Sequence, residues 1–308
     1  MNLFTSSSEQ FSRIFLFLFF VVIALFMMTT EAVFRLRVAG SHPFELYKEM
    51  YSRQSAEVVM FGDSHVVNGI VTTSEVLNLG YAGNNMNSMT TKALDYAENN
   101  DIEYIGLQAD PHLFSYYRIV KNQYDHLDSL LNKNEKILYM YKPHLRKYLL
   151  DYWKSWLSDP MKIFFPEKEK RNANSEIEVH SIVEVDNDDR KKQASIRVQL
   201  HRPIDSFEKS ESAMQFINAI QELSDSGKKI CLISYPVSSD YRAASKTYVQ
   251  FSKVVSFYRS LSKIKNIKYI NYADRYEDSY FADVDHLNLN GRTKFTREVI
   301  NECFDILI

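Results

Sequence analysis

The chain has 308 residues, enough for one large domain or two small ones, and its 37 Lys and Arg nearly balance its 39 Asp and Glu. This balance excludes an electrostatic basis for binding nucleic acid. Two cysteines, Cys231 and Cys303, exclude a disulfide-rich scaffold, and neither they nor the histidines have metal-ligand spacing, so we expect no metal and no cofactor.

An apolar run lies near the N-terminus. Residues 14–28 have the sequence IFLFLFFVVIALFMM, and with Thr29 and Thr30 they form a segment of 17 residues, which as a helix is about 26 Å long and close to the thickness of a thin bilayer. The run predicts an uncleaved transmembrane anchor over 1–38, with a body over 39–308; a signal peptide cleaved near 30–32 is the alternative. Basic residues on both sides of the run leave its orientation open.

After the anchor, short apolar segments alternate with amphipathic ones. They predict strands over 56–63, 75–82, 101–109, 228–237 and 267–273, and helices over 84–100, 212–227, 248–264 and 291–307. This alternation is typical of an α/β fold in which a parallel sheet carries helices on both faces. Cys231 lies in a predicted strand and Cys303 in the last helix, which favours two buried thiols; one disulfide stays open in an oxidising compartment.

Residues 143–203 interrupt this alternation as an insertion. The first part carries Trp153, Trp156 and basic residues at helical spacing. It indicates either a helix packed on its own domain or an amphipathic element that contacts a membrane, a lipid or a glycan. The second part is charged and holds two β-like runs around DNDDRKK at 186–192, which predicts a solvated hairpin or a partly disordered lobe.

Ser64 follows the first predicted strand in the segment VVMFGDSHVVNG. Open α/β sheets bind ligands at the carboxyl ends of their strands, so Ser64 is a candidate nucleophile. The segment is not a G-x-S-x-G elbow, because Val66 stands where the second glycine would be. The structural alternative is that Asp63 and Ser64 only cap the following helix.

A second motif lies between the last strand and the last helix, where Asp283 and His286 have D-x-x-H spacing. On a turn, this spacing allows the carboxylate to hold Nδ1 of the imidazole, so that Nε2 can accept a serine proton. Asp285 is a rival partner, but adjacent side chains point apart, and we therefore prefer Asp283. Tyr235 lies near the end of the fourth predicted strand, at the same sheet edge, and is a candidate for lining the cleft; an ordinary polar loop is the alternative.

These motifs resemble those of the SGNH, or GDSL-type, hydrolase superfamily. G-D-S at 62–64 resembles the family's first block, NLGYAG at 78–83 the second, and D-x-x-H at 283–286 the last. The resemblance implies a three-layer α/β/α flavodoxin-like domain, with Ser64 as nucleophile, His286 as base and Asp283 as its orienter. It further implies an oxyanion hole made by the N–H groups of Ser64 and Gly83.

The third block departs from the family pattern. The family places an Asn oxyanion donor where GLQADPH has Asp110, and a carboxylate there would repel an oxyanion. Three interpretations stay open: Asp110 is protonated, another side chain (Gln108, His112 or His65) donates instead, or the protein is weakly active or inactive. His65 and His112 are also candidates for contacting substrate.

An anchored chain with such a third block resembles the bacterial branch that modifies cell-envelope polysaccharides. That branch includes the O-acetyltransferases of alginate-type exopolysaccharides and the D-alanyl transfer protein of teichoic acid synthesis. The resemblance implies a membrane-anchored acyltransferase or acylesterase with a periplasmic or extracytoplasmic body. Its partners would be the membrane, a polysaccharide or acyl ester, and a membrane-bound acyl-donor protein. The alternative is a non-catalytic SGNH-like protein that binds glycan or scaffolds a synthesis complex.

Overall fold

The structure is a computed structural model that describes residues 5–33, 35, 43–52, 56–120, 130–131, 154 and 181–306. The chain divides into two compact units, one formed by residues 1–46 with 132–173 and the other by 47–131 with 174–308. The amphipathic element predicted around Trp153 and Trp156 lies outside the described residues.

The first unit contains the helix α1 (Thr5–Val33). Within it, Gln10–Ala32 has a mean hydropathy of 2.5, and no residue of its most apolar 18-residue stretch is buried in the protein. Among the described residues this is the one helix that is long and apolar enough to cross a membrane, by length and composition. The apolar run at 14–28 is therefore confirmed as a candidate membrane-spanning helix.

The second unit is built on a five-stranded sheet, parallel throughout, with the strand order β2-β1-β3-β4-β5. The strands are β1 (Val58–Gly62), β2 (Val76–Gly80), β3 (Tyr104–Gln108), β4 (Lys229–Ser234) and β5 (Ile267–Asn271). The described helices after α1 are α2 (Pro43–Tyr51), α3 (Ser64–Gly69), α4 (Met86–Asn99), α5 (Tyr116–Val120), α6 (Asn187–His201), α7 (Glu211–Asp225), α8 (Ser239–Ser245), α9 (Val249–Leu261) and α10 (Leu289–Phe304). The predicted parallel α/β fold is confirmed.

Strand β1 has the sequence VVMFG and is buried along its whole length, as expected for a central strand covered on both faces. Its alternate side chains face opposite layers. Phe61 contacts Tyr96 of α4, with ring centroids 5.9 Å apart, whereas Met60 joins the buried cluster that contains Phe295 and Val299 of α10. This alternation gives the three-layer arrangement.

The strand order places a topological switch point at β1. The chain passes from β1 to β2 on one side, and β3 then pairs with the other side of β1. The order 2-1-3-4-5 is the flavodoxin-like order, in which ligands bind beyond the carboxyl ends of the strands where the direction of winding reverses. Ser64 follows β1 at this point.

The cysteine prediction is corrected by the structure, because Cys231 and Cys303 form a disulfide across 72 residues. Cys231 lies in β4 and faces the layer of α10, while Cys303 lies on the buried side of α10. Packing of the helix on the sheet brings the two Cα atoms to 5.7 Å, a separation that a disulfide can span.

The prediction of a solvated hairpin or a partly disordered lobe was wrong for residues 187–201, which form α6. The Asp186 side chain accepts from the backbone N–H of Asp188 and caps the helix. Ala194, Val198 and His201 follow at helical spacing and are buried. The run of charges forms an exposed face of this helix rather than a turn.

Candidate active site

Ser64 is the first residue of α3, directly after β1. Asp63 caps this helix, because its Oδ1 accepts from the backbone N–H of His65 at 2.9 Å. The hydroxyl of Ser64 has a different partner, Nε2 of His286, at 3.0 Å. The capping explanation therefore applies to Asp63, while the Ser64 side chain points toward the imidazole.

His286 lies between Ser64 and Asp283. Its Nδ1 is 2.8 Å from Oδ2 of Asp283, whereas the nearer approach of Asp285 to that nitrogen is 3.7 Å. A carboxylate only accepts hydrogen bonds, so Nδ1 carries the proton and Nε2 presents a lone pair to the Ser64 hydroxyl. This is the arrangement that activates a serine as a nucleophile.

Asp283 is fixed by backbone donors as well as by the imidazole. Its Oδ1 accepts from the N–H groups of Asp285 at 2.9 Å and His286 at 2.8 Å. Burial acts to raise the pKa of the Asp283 carboxyl, but the His286 side chain and the backbone N–H of Asp285 hold the pKa well below its usual value. Asp283 is therefore ionised at neutral pH.

The turn that carries these residues is closed on itself and tied to the sheet edge. Phe281 and Leu287 form an antiparallel bridge, and the N–H of Ala282 donates to the carbonyl of His286 at 2.9 Å. Ser238, at the start of α8, donates its hydroxyl to the carbonyl of Val284 at 2.8 Å. These bonds set the direction in which Asp283 and His286 fold back toward Ser64.

Gly83 lies in the turn that follows β2, where its φ of 89° is in the left-handed region that glycine adopts readily. The next residue, Asn84, donates from Nδ2 to the carbonyl of Gly62 at 2.8 Å. Asn78 of β2 donates from Nδ2 to the carbonyl of Val66 in α3 at 2.8 Å. The second motif is thereby tied to the end of β1 and to the helix that begins with Ser64.

Asp110 directs both carboxylate oxygens at donors inside the protein. Its Oδ2 accepts from Nε2 of Gln108 at 2.7 Å and contacts Nδ1 of His65 at 2.8 Å. Its Oδ1 accepts from the backbone N–H of Tyr235 at 2.8 Å. Gln108 is likewise engaged, because its Oε1 accepts from the N–H of Asp63 at 2.6 Å.

A buried ionic group, formed by Asp63, His112 and Arg118, lies next to Ser64. Asp63 is fully buried and contacts Nε2 of His112 at 2.7 Å, and it also accepts from the guanidinium of Arg118. Burial acts to raise the pKa of Asp63, but His112 and Arg118 hold the pKa well below its usual value. Burial lowers the pKa of His112.

His65, His112 and Tyr235, predicted to contact substrate, are buried at 3%, 1% and 2% exposure. Together with Asp110 they line a cavity of about 490 Å³ that extends toward α8 and α9. Among the described residues, neither Ser64 nor His286 lines it.

Sequence reasoning missed three residues of the site: Arg118, Arg197 and His201. Nε of Arg197 is 3.3 Å from Oδ1 of Asp285. Nδ1 of His201 is 3.0 Å from the Tyr241 hydroxyl. Arg197 and His201 lie on α6, within the segment predicted as a charged hairpin, and no local motif marks them. A prediction of α6 as an amphipathic helix would have placed both on one side of it.

Two groups of side chains have ligand atoms close enough for a cation. One comprises Asp63, His65 and His112, and the other His65, Asp285 and His286; within each, the atoms lie within 4.8 Å of one another. The Arg118 guanidinium on Asp63 opposes a cation in the first group. In the second, Nε2 of His286 contacts the Ser64 hydroxyl and the Arg197 guanidinium approaches Asp285, and both contacts oppose a cation there.

No family model matches the chain, and no curated protein matches it either. Among solved structures, it is similar to a chain described as "a putative platelet activating factor from Streptococcus pneumonia". That likeness covers 93% of this chain and 99% of the other, at 11% identity and a TM-score of 0.39.

Proposed function

We propose that the chain is an SGNH-type serine esterase or O-acyltransferase. The observation that carries the proposal is the hydrogen-bonded series Ser64 Oγ, His286 Nε2 at 3.0 Å, and His286 Nδ1 to Asp283 Oδ2 at 2.8 Å. Ser64 and His286 are 222 residues apart, so their contact arises from the fold. It lies at the switch point of the sheet, the usual ligand position in this class of fold.

In the proposed reaction, Oγ of Ser64 bonds to the carbonyl carbon of an acyl ester while its proton passes to Nε2 of His286. The resulting tetrahedral oxyanion accepts from the N–H groups of Ser64 and Gly83. Collapse of this intermediate breaks the ester C–O bond, and the leaving oxygen takes the proton from His286. The acyl group is now on Ser64.

The second half repeats these steps with an acceptor hydroxyl. The acceptor gives its proton to His286 and attacks the acyl carbon, and collapse returns the proton to Ser64. Water as acceptor gives an esterase, and a sugar hydroxyl gives an acyltransferase. Asp283 remains ionised throughout and stabilises the imidazolium that forms at each transfer.

We further propose that the body is extracytoplasmic and acts on an envelope or extracellular polysaccharide. The apolar helix Gln10–Ala32 supports attachment to a membrane. The Cys231–Cys303 disulfide supports an oxidising compartment, because such bonds rarely persist in the cytosol. A reporter fused to the C-terminus tests this topology, and activity of a reporter that works only in the cytoplasm would contradict it.

A non-catalytic glycan-binding or scaffold role is the second candidate. It is favoured by the hydrogen bonds that Gln108 and Asp110 make inside the protein, because at the position of the family's Asn donor a carboxylate accepts hydrogen bonds instead. Binding of glycan without any covalent labelling of Ser64 would support this role over catalysis.

The test uses the full chain in detergent, a fluorophosphonate probe and p-nitrophenyl acetate. We expect the probe to label the parent protein and Ser64→Ala to lose both labelling and turnover, the latter by at least about 10³-fold. Ser74→Ala, a change in an exposed loop before β2, is the matched control and retains both. Equal turnover in the parent and in Ser64→Ala would refute catalysis by Ser64.

A further inference from the structure

His65 directs both of its ring nitrogens at carboxylates. Nδ1 is 2.8 Å from Oδ2 of Asp110, and Nε2 is 3.4 Å from Oδ2 of Asp285. The ring is 3% exposed. A neutral imidazole has one N–H and one lone pair, so it would turn that lone pair toward one of the two carboxylates. An imidazolium donates to both, and it is the form that this geometry fits.

The hydrogen bonds of Asp110 also indicate that the His65 ring is an imidazolium. Its three partners, Gln108 Nε2, the Tyr235 N–H and His65 Nδ1, are all donors or can be. An Asn side chain could not replace it, because its amide would direct an NH₂ group either at Tyr235 or at the other two. The site is built for a carboxylate that accepts at both oxygens.

The charges around His65 are balanced. Its neighbours are three acids and three imidazole rings: Asp63, Asp110 and Asp285, and His112, His201 and His286. Two of the acids also have a guanidinium partner, because Arg118 contacts Asp63 and Arg197 approaches Asp285. Burial lowers the pKa of His112 and of His201. With these two rings neutral, three carboxylates are matched by two guanidinium groups and the His65 ring, so that a neutral His65 would leave a buried carboxylate without a cation.

His65 is connected to the proposed catalytic residues through Asp285. Asp285 lies in the turn between Asp283 and His286, and its backbone N–H donates to Asp283 at 2.9 Å. The His65 ring also packs edge-to-face on the ring of His286, with centroids 5.2 Å apart. The position of the His286 ring therefore depends on the charge and place of His65.

We propose that Asp110 is the counter-ion of a His65 imidazolium, and that this pair positions the His286 turn through Asp285, an inference that rests on the function proposed above. Asp110 is then a positioning residue and not a weakened oxyanion donor. The two roles predict opposite results when the family's Asn is introduced at position 110.

The deciding variant is Asp110→Asn, compared with Asp101→Asn, an exposed acid before β3, as the control. We expect kcat of Asp110→Asn to fall about 10- to 100-fold with KM unchanged, the loss expected for charged hydrogen bonds. If Asp110 were a weakened oxyanion donor, the new amide would instead raise kcat by about 10²- to 10³-fold. An increase in kcat, or no change, would overturn the positioning role.

A double-mutant cycle tests whether the two residues act as a unit. His65→Gln, Asp110→Asn and the double variant are compared at one pH, with circular dichroism to confirm folding. We expect the double variant to be within about threefold of the worse single variant, since either change removes the same ion pair. Losses that multiply would show that the two residues act independently and would contradict the proposal.

A spectroscopic measurement needs neither a variant that folds nor any activity. The full chain is labelled with ¹⁵N at its histidines, and the His65 ring is observed by NMR between pH 6 and 8. We expect two protonated nitrogens throughout this range, and a lone-pair nitrogen on His65 would overturn the ion pair. If the parent protein fails to label at Ser64 but shows the doubly protonated ring, the proposed function fails while the ion pair stands.

Discussion

Exchanging Asp283 for Asn tests which of two neighbouring acids orients His286. Oδ2 of Asp283 is 2.8 Å from Nδ1 of His286, whereas Oδ1 of Asp285 is 3.7 Å away. Both oxygens of Asp283 are engaged: Oδ2 contacts the imidazole, and Oδ1 accepts from two backbone N–H groups. An amide has only one acceptor oxygen, so Asp283→Asn must turn its NH₂ group either toward the imidazole or toward the backbone donors.

The size of the expected loss in kcat/KM follows from the solvent exposure of Asp283. Replacing the fully buried acid of a serine protease triad by Asn lowers kcat by about 10⁴-fold. The Asp283 side chain is 40% exposed. Solvent therefore screens part of the attraction between its charge and His286, and less is lost when the charge is removed. We therefore expect kcat/KM of Asp283→Asn to fall by about 10²- to 10³-fold, scaled down from that triad.

The assay is hydrolysis of p-nitrophenyl acetate by the full chain in detergent, with thermal melting to confirm folding. Asp285→Asn is the matched variant, and we expect a loss of only about tenfold, because that acid acts on His286 through His65 and the turn. Asp274→Asn, at an exposed position after β5, controls for a general change of charge. A loss for Asp285→Asn equal to or greater than that for Asp283→Asn would refute the assignment of Asp283 as the orienting acid.

Three further outcomes concern stability. In Gly62→Ala the new Cβ would overlap the Val66 side chain, so we expect a loss of about 1–3 kcal/mol in denaturant unfolding; an unchanged midpoint would contradict the tight packing at the end of β1. Removing the disulfide with Cys231→Ala and Cys303→Ala should cost about 2–5 kcal/mol in unfolding free energy, and free thiols in the unreduced parent would contradict the pairing. The pKa of Asp63 is lowered from its ordinary 3.8, so the stability it adds is fully present above pH 3.8 and is lost as pH falls through the folded-state pKa. When the free energy of unfolding is measured against pH, its decrease at low pH should be smaller in Asp63→Asn than in the parent. An identical decrease in the two proteins would contradict this.

The local patterns of the sequence determined the sheet and the motifs of the proposed active site. Strands such as β1 are continuous apolar runs because both of their faces are covered, and this composition is visible without knowing the neighbours. The D-x-x-H turn is equally local, since Asp283 and His286 contact each other across three residues. The sequence could therefore predict the five strands, the sheet edge and these two side chains.

The error at α6 shows where local patterns fail. Its first turns are dense in charge, and only Ala194, Val198 and His201 are buried. With so few apolar positions, the helical period is weak, and burial against the rest of the domain makes the segment a helix. Prediction from the charges and the two β-like runs gave a solvated hairpin or a partly disordered lobe.

The disulfide and the environment of Asp110 were decided only by tertiary structure. Cys231 and Cys303 are separated by 72 residues, and His65 and Asp285 by 220, so nothing in either neighbourhood indicates the partner. The sequence identified Asp110 as a departure from a motif but left three explanations open. Its side chain accepts hydrogen bonds from Tyr235 and Gln108 and faces His65, because the ends of β1, β3 and β4 meet at one edge. A motif specifies which groups are present, whereas the packing of distant segments determines which of them touch and therefore which charges they carry.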